Sequence, residues 1–296
     1  MTFTDYLSNH CIKYKENVDS SKISSIRAGG NIKLSIYPSS QKDLIDALYI
    51  CKAFSKKFKI IGGCTNTFFS DEGFDGVVVF TSGVRGVDIK NGVITAECGS
   101  SLSFILRFAA FNGYEIPGEL FGIPGTLGGA VRNNAGAYGK EIADVFIEGC
   151  FFDAFTGEIF QLKNDSLSFS YRYSNIQRDN ILLLSAKLRA FTSSKEKCFE
   201  KFEQYVRKRR CEQPNLPSLG SFFKRSNDII PAKLIDEQGL KGYTVGGASV
   251  SKKHSGFIVN SGNATADDID SLARYIENQI DEKYGVQLIR EAELVR

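Results

Sequence analysis

The chain has 296 residues, a formal net charge of +3, and 42% hydrophobic and 24% charged residues. This composition predicts a soluble globular protein long enough for two domains, and it gives no argument for nucleic-acid binding. The chain has seven cysteines and no CxxC motif, so its thiols are expected to be reduced. Because it has only two histidines, no metal centre is expected. No apolar run reaches the length of a membrane span and no signal peptide is evident, which favours a cytoplasmic protein without a membrane partner.

The first part of the chain is expected to alternate between strands and helices. In some short runs apolar residues alternate with polar ones, as in half-buried strands. In others they recur at helical spacing after a residue that could cap a helix. The predicted elements are an N-terminal helix and linker up to Ile23, a strand at 31–38, a helix at 40–56 capped by Ser39 or Ser40, strands at 59–61, 76–80 and 92–96, and a helix at 102–111.

The remainder is expected to be β-rich at first and then mainly helical. The same periodicities carry these predictions, and there are no internal repeats. The predicted strands are 145–153, 158–162, 181–191, 243–245 and 256–260, and the predicted helices are 199–210, 230–237 and 266–284.

A change of composition at 192–197, where hydroxyl and charged residues gather, predicts a domain boundary. The predicted segments are a first domain at 1–192 with subdomains at about 1–80 and 81–192, a second domain at 193–296, and a last strand near 287–296. Whether that strand stays in the second domain or returns to the first is left open.

Two glycine-rich loops carry the most information about function. The first glycine loop, Gly62–Thr67, follows an apolar strand, and the second glycine loop, Gly122–Gly136, is mostly uncharged and rich in glycine and alanine. Glycine lets a ligand approach the main chain closely, and successive bare N–H groups bind anions. A phosphate or pyrophosphate ligand is therefore predicted, with a tight turn packed on a helix as the alternative. Neither loop fits the Rossmann or P-loop pattern.

Several further motifs occur in a fixed order between about Arg27 and Glu291. They are Gly62–Asn66, Ser70–Gly76, Gly122–Gly129, Tyr171–Ser174, Gln213-Pro214, Gly220–Lys224, Gly239–Gly242, Val250–His254, Phe257–Asn260 and Leu288–Glu291. On these residues the chain resembles the UDP-N-acetylenolpyruvoylglucosamine reductase family, flavoenzymes of bacterial peptidoglycan precursor synthesis. It looks like the shorter subclass, which lacks a tyrosine-bearing loop.

The resemblance implies an α+β chain with an FAD-binding domain of the vanillyl-alcohol-oxidase (PCMH) type, followed by a smaller α/β substrate-binding domain. It implies non-covalent FAD, NADPH as reductant and UDP-N-acetylglucosamine enolpyruvate as substrate, in a cytoplasmic monomer that serves cell-wall biogenesis, cell shape and cell division. The FAD contacts it implies are Gly62, Gly63, Cys64, Thr65, Asn66, Thr67, Gly122, Ile123, Pro124, Gly125, Thr126, Gly128, Gly129, Ala135 and Gly136.

The family reaction moves a hydride from NADPH through FAD to the enolpyruvyl β-carbon and adds a proton at the α-carbon. By resemblance, Ser221 donates that proton and Arg172 binds the substrate carboxylate, where negative charge develops. Glu291 is expected on the other side of the enolate, protonated or acting through a water. The alternatives are that Ser221 is a turn residue, that Arg172 forms a surface ion pair and that Glu291 is a surface glutamate. Glu293 is a nearby competitor for the catalytic role given to Glu291, which the spacing from Leu288 selects.

Five further residues are expected to contact the substrate or NADPH: Tyr171, Gln213, Lys224, His254 and Asn260. Three residues depart from the family pattern. Cys64 and Thr65 replace the more common Gly and Ser, which raises the question of a cysteinyl flavin, and Arg132 replaces an apolar residue. The competing functions are another FAD-dependent oxidoreductase of this fold, such as an alcohol or hydroxy-acid oxidase, and a non-catalytic flavin- or nucleotide-sugar-binding protein.

Overall fold

The computed structural model describes residues 1–178, 180–226 and 229–296. Its helices are α1 Phe3–Asn9, α2 Gln41–Ala53, α3 Leu102–Phe111, α4 Leu127–Arg132, α5 Lys195–Glu212, α6 Pro231–Glu237 and α7 Ala266–Tyr284. Its strands are β1 Lys13–Asp19, β2 Asn31–Tyr37, β3 Phe58–Ile61, β4 Thr67–Phe69, β5 Phe74–Phe80, β6 Val87–Lys90, β7 Val93–Glu97, β8 Tyr114–Glu115, β9 Gly136–Ala137, β10 Lys140–Glu141, β11 Phe146–Asp153, β12 Ile159–Lys163, β13 Ile181–Arg189, β14 Phe191–Thr192, β15 Thr244–Val245, β16 Ala248–Val250, β17 Ile258–Asn260 and β18 Glu293–Val295.

Two larger sheets organise the first two thirds of the chain. A four-stranded sheet has the order β1–β2–β5–β3, and within it β3 and β5 run parallel. A five-stranded antiparallel sheet has the order β12–β11–β13–β7–β6. The central strand of the second sheet, β13, is rich in leucine and largely buried, as expected for a strand with neighbours on both edges.

The best-patterned helices begin and end where their capping residues predict. Ser101 accepts a hydrogen bond from the Phe104 N–H and starts α3 at Leu102. Thr265 and Asp268 form a capping box at the start of α7, and Gly285 ends it in a left-handed conformation. These local signals explain why both helices have the predicted bounds.

The elements that the sequence analysis missed include β1 and α4, which lie in segments predicted as a linker and a loop. The linker expected before Ile23 contains β1, whose sequence KYKENVD has too few apolar residues to show a strand pattern. The second glycine loop contains the short helix α4, with Thr126 as its N-cap. Glycine is a poor helix former, so the segment Leu127–Arg132 gives little sign of helix in the sequence.

The described chain forms two compact units. The first unit comprises 1–16, 34–63 and 76–207, and the second unit comprises 17–33, 64–75 and 208–296. The functional assignment of 1–192 to FAD binding and of 193–296 to substrate binding stays a prediction.

The core of the first unit is formed by helices packed against the five-stranded sheet. Helix α4 contacts β13 and β7, and the apolar side of α3 packs toward β6 and β8. Phe151 and Phe152 on β11 are fully buried there. This packing places the second glycine loop directly over the central strands of the sheet.

The second unit is built around α7, whose apolar face covers the antiparallel sheet β15–β16–β17. Its last strand, β18, pairs in parallel with β4, so that Glu293 lies opposite Thr67 and Val295 lies opposite Phe69. The strand directly after the first glycine loop is therefore paired with the last strand of the chain. None of the helices within the described residues combines the length and apolarity that a membrane crossing needs.

Candidate active site

The two glycine loops meet inside the first unit at Gly62 and Thr126. A Cβ atom on Gly62 would lie 2.3 Å from Oγ1 of Thr126, well inside van der Waals contact. The same Thr126 oxygen caps α4 by accepting from the Gly129 N–H, and Thr126 forms an isolated bridge with Ser101. Glycine at position 62 is therefore required by the close approach of the second loop.

The second glycine loop has N–H groups left over for a ligand. Hydrogen bonds within the first unit occupy the N–H groups of Gly122, Leu127 and Gly128. Those of Gly125 and Thr126, by contrast, donate to no acceptor among the residues that the structure describes. Gly125 has φ +112° and Thr126 directly precedes α4, so these two amides lie at the start of a helix. Such an arrangement suits the pyrophosphate of a dinucleotide.

Some of the predicted FAD contacts belong to the first unit and others belong to the second. Those in the first unit are Gly62, Gly63, Gly122, Ile123, Pro124, Gly125, Thr126, Gly128, Gly129, Ala135 and Gly136, and those in the second unit are Cys64, Thr65, Asn66 and Thr67. A bound FAD would require a close approach to the main chain, which Gly62 permits, and N–H groups that are available to its pyrophosphate. The second loop offers such N–H groups at Gly125 and Thr126, so the residues fit this cofactor.

Cys64 is a buried structural thiol. Its backbone is left-handed, with φ +51°, a conformation that glycine adopts more readily and that fits the commoner residue at this position. Its Sγ donates to the Thr67 carbonyl oxygen at 3.3 Å, and burial raises the pKa of the thiol to about 12. A protonated thiol is a poor nucleophile, so this geometry disfavours a cysteinyl flavin.

Arg172 is attached to the second glycine loop within the first unit. Its Nη2 donates to the Gly136 carbonyl oxygen at 2.7 Å, and its Nη1 lies 3.8 Å from Oε1 of Glu141. The guanidinium also stacks over the ring of Tyr171, 4.9 Å from the centroid. The backbone of Arg172 has φ +53°, a strained conformation of the kind that concentrates at functional sites.

Glu141, a partner of Arg172, and Asn134, which bonds to Glu141, are two residues that the sequence analysis missed. Asn134 is fully buried, and its Nδ2 donates to Oε2 of Glu141 at 2.7 Å and to the Ser170 carbonyl at 2.9 Å. Its Oδ1 accepts from the Ala143 N–H at 3.1 Å. One carboxylate thus joins the amide to Arg172. Asn134 lies in a motif already noted, but nothing in the sequence points to Glu141.

Arg132, the residue without a sequence-based explanation, has a structural role. Its Nη1 donates to the carbonyl oxygens of Arg178 at 2.8 Å and Ile176 at 3.2 Å. It therefore ties α4 to the segment that follows Arg172. An apolar side chain could not make these bonds.

Ser221 and Glu291 belong to adjacent backbone segments of the second unit. The Glu291 N–H donates to the Phe222 carbonyl oxygen at 2.8 Å, and the Lys224 N–H donates to the Ile289 carbonyl oxygen at 2.7 Å. Gly220, with φ +80°, turns the chain into this pairing and leaves Ser221 exposed. The backbone therefore places two of the three predicted catalytic residues on neighbouring segments.

The first glycine loop is joined to the Glu291 segment as well. Nδ2 of Asn66 donates to the carbonyl oxygen of Glu291 at 2.8 Å, and the Glu293 N–H donates to the carbonyl oxygen of Asn66 at 2.9 Å. These bonds lie within the second unit. Asn66, predicted as an FAD contact, also holds the backbone of a predicted catalytic residue.

His254 lies half-buried in the second unit beside the Ser221 segment. The Gly256 N–H donates to its Nδ1 at 3.1 Å, and the ring packs edge-on against Phe257. Burial lowers the pKa of His254 below its ordinary value, and the positive charges of Arg225 and Lys241 act in the same direction. A neutral imidazole is therefore the resting form near pH 7.

The remaining predicted substrate contacts have different surroundings. Asn260 is buried, and its amide donates to the carbonyls of Ile26 and Arg27 and accepts from two N–H groups, so contact with a ligand would require it to give up a bond. Gln213 is half-buried just after α5, and Tyr171 is exposed. Their part in substrate binding stays a prediction, as does that of Lys224.

Comparison with known proteins identifies the family of the chain. A family model for the C-terminal domain of UDP-N-acetylenolpyruvoylglucosamine reductase matches residues 212–295, and one for an FAD-binding domain matches 32–162. The reductase of Caldanaerobacter subterraneus is 41% identical over 92% of this chain and 90% of its own length. That of Caldicellulosiruptor saccharolyticus is 37% identical over 100% of this chain and 96% of its own length.

Among solved structures, the UDP-N-acetylenolpyruvylglucosamine reductase of Thermus caldophilus superposes with a TM-score of 0.82 and 27% identity. The match covers 96% of this chain and 100% of the other. The chain therefore belongs to the UDP-N-acetylenolpyruvoylglucosamine reductase family and carries its FAD-binding domain.

Proposed function

We propose that this chain reduces UDP-N-acetylglucosamine enolpyruvate to UDP-N-acetylmuramate with NADPH and bound FAD, in peptidoglycan precursor synthesis. The observation that carries the proposal is the contact between Gly62 and Thr126, which joins two glycine-rich loops beside two open amides. This is a main-chain site for a pyrophosphate. The family membership supplies the substrate and the reductant.

FAD would be held through its pyrophosphate by the N–H groups of Gly125 and Thr126, and when bound it supplies the hydride-transfer chemistry. Arg172 would bind the enolpyruvyl carboxylate with its guanidinium and stabilise the negative charge that develops there. The contacts with Glu141 and Gly136 support this role because they hold the guanidinium in one orientation before substrate arrives.

Ser221 would donate a proton from Oγ to the substrate α-carbon. A serine hydroxyl is a weak acid, but the α-carbon becomes strongly basic once a hydride has been added to its neighbour. Glu291 would face the same carbon from an adjacent segment and act either protonated or through a water. The backbone pairing of the Ser221 and Glu291 segments supports a joint role for the two residues.

Ser221→Ala tests this assignment. The variant is expected to be reduced by NADPH at the wild-type rate under anaerobic conditions, whereas reoxidation by the enolpyruvyl sugar slows by orders of magnitude. Ser218→Ala removes a hydroxyl from the same loop and should leave both steps unchanged. Full substrate-dependent turnover of Ser221→Ala would contradict the proton-donor role. Wild-type flavin that is reoxidised only by oxygen would instead indicate an oxidase of the same fold.

We place the reaction in the cytoplasm. All seven cysteines are free thiols, and four of them are buried: Cys51, Cys64, Cys98 and Cys198. Free thiols in this number suit a reducing compartment. Fractionation of the native cell, with activity measured in each fraction, tests the placement.

A further inference from the structure

We propose that Arg290 is a positioning residue for the reduction of the enolpyruvyl sugar. Its guanidinium attaches the backbone at Arg290 to helix α7 and thereby fixes the orientation of Glu291, the next residue. The inference rests on the proposed role of Glu291, and the experiment below separates the two.

The side chain of Arg290 reaches across to two carboxylates on α7. Its Nε and Nη2 bind the two carboxylate oxygens of Glu277 at 2.5 and 2.9 Å, and its Nη1 binds Oδ1 of Asp270. A planar guanidinium with paired hydrogen bonds to a carboxylate has little freedom to rotate. Arg290 thus attaches its segment to α7 through a geometrically defined contact.

Asp270 makes this contact stronger than an ordinary surface ion pair. It is 4% exposed, and burial would by itself raise the pKa of its carboxyl, but hydrogen bonds and charge from Arg290 and Arg274 hold that pKa below its ordinary value. Asp270 is therefore ionised at neutral pH. Arg274 and Arg296 bind Oδ2 of this carboxylate, whereas Arg290 binds Oδ1, so movement of Arg290 would cost Oδ1 this charged hydrogen bond.

Helix α7 is a firm support for such an anchor. It is 19 residues long, is capped at both ends, and buries its apolar face in the core of the second unit. Asp270 and Glu277 are seven residues apart and so lie on one side of this helix. A functional group held by a packed helix is positioned more accurately than one held by a loop.

The anchor acts on Glu291 through the extended backbone. Arg290 forms an antiparallel bridge with Phe223, and successive side chains of an extended chain point to opposite sides. Because the Arg290 side chain is turned toward α7, we infer that the Glu291 side chain is directed away from this helix. The Glu291 backbone is held on both sides as well, by the Phe222 carbonyl and by Nδ2 of Asn66. Together these contacts fix the course of the backbone at Glu291.

The test compares Arg290→Met with Arg274→Met. Arg274 binds the same carboxylate, with Nη2 2.5 Å from Oδ2 of Asp270, but it lies on α7 and not beside Glu291. In Arg290→Met, flavin reoxidation by the enolpyruvyl sugar is expected to slow by about 10- to 100-fold, with kcat affected more than KM and NADPH reduction of the flavin unchanged. Arg274→Met should keep both half-reaction rates, and Arg290→Lys, which keeps the charge, should recover part of the loss.

If Arg290 only stabilised the fold, the half-reaction rates would change differently. Both half-reactions of Arg290→Met would then fall together with the folded fraction, or neither would change, and either result overturns the inference. Glu291→Gln identifies a failure of the underlying assignment, since unchanged reoxidation in that variant removes the proposed role of Glu291 itself. If Glu291→Gln is slow, adding Arg290→Met should slow it no further, because both changes disable one group. A fully additive double variant would also overturn the inference.

Discussion

The Nη2 atom of Arg172 donates a 2.7 Å hydrogen bond to the carbonyl oxygen of Gly136, at the end of the second glycine loop. The residue proposed to hold the substrate carboxylate is thus attached to a loop proposed to hold the cofactor. Position 136 has no space for a side chain, because a Cβ atom there would lie 2.5 Å from the Lys140 carbonyl oxygen. The orientation of the guanidinium therefore depends on the backbone of the loop.

Replacing Arg172 with lysine should affect the substrate step alone. Lysine keeps the charge but cannot hold the Gly136 carbonyl and Glu141 while also binding a carboxylate through two hydrogen bonds. We expect reoxidation by the enolpyruvyl sugar to slow by about 100-fold, equivalent to ~2.7 kcal/mol, in stopped-flow experiments. Flavin reduction by NADPH should be unchanged. Arg189→Lys, on an exposed strand end of the same unit, is the control, and equal effects of the two variants would contradict the prediction.

Gly62→Ala should weaken FAD binding because the new methyl group collides with Oγ1 of Thr126. The next nearest atom, Cβ of Thr126, is 3.5 Å away, which is an ordinary contact. Thr126→Ala should therefore relieve the collision, although it removes the cap of α4 at a cost of ~1 kcal/mol. FAD affinity and thermal stability of the two single variants and the double variant form a cycle. Additive losses would show that the contact at Gly62 is not the cause.

Cys64 should be protected from alkylation in the native protein. Its thiol is buried, and burial raises its pKa to about 12, whereas Cys11 and Cys211 are exposed. At pH 8, iodoacetamide followed by peptide mass spectrometry should label Cys11 and Cys211 first and Cys64 only after unfolding in urea. FAD should also be released intact by denaturation. Native labelling of Cys64 at the rate of Cys211, or flavin retained on its peptide, would contradict the structure.

The lowered pKa of His254 makes stability depend on pH in one direction. The neutral ring is favoured in the folded protein, so the unfolded chain takes up a proton at higher pH than the folded chain does. The free energy of unfolding therefore decreases as the pH falls below about 6.5 and levels off below the folded pKa. His254→Asn, which keeps an acceptor for the Gly256 N–H, should lose less stability between pH 7.5 and about 5.5 in urea titrations. Parallel losses in both proteins would exclude His254 as the cause.

Sequence reasoning succeeded where the determining interactions are local. The caps of α3 and α7 lie within a few residues of the turns they start, so both helices were predicted with their observed bounds. It failed for β1, an edge strand that is held in place by pairing with β2, and for α4, where packing outweighs the low helix propensity of glycine.

The candidate site also combines features that the sequence shows locally with contacts that only the fold creates. The glycine loops and the types of residue needed for the chemistry are visible in the sequence. The contact of Gly62 with Thr126, the bond from Asn134 to Glu141 and the anchoring of Arg290 by Glu277 join positions that only the folded chain brings together. The two discontinuous units could not be predicted from the sequence for the same reason. The chain passes between them several times without a change of composition at each crossing.

The parallel pairing of β4 with β18 has a consequence for biosynthesis. Residues Thr67–Phe69 leave the ribosome long before their partner strand Glu293–Val295 has been translated. The strand that follows the first glycine loop therefore remains without this pairing until residues 293–295 have been translated. The first unit contains no residue beyond 207, so it can begin to fold during synthesis while the second must wait. A nascent chain stalled before residue 293 should accordingly lack the completed second unit.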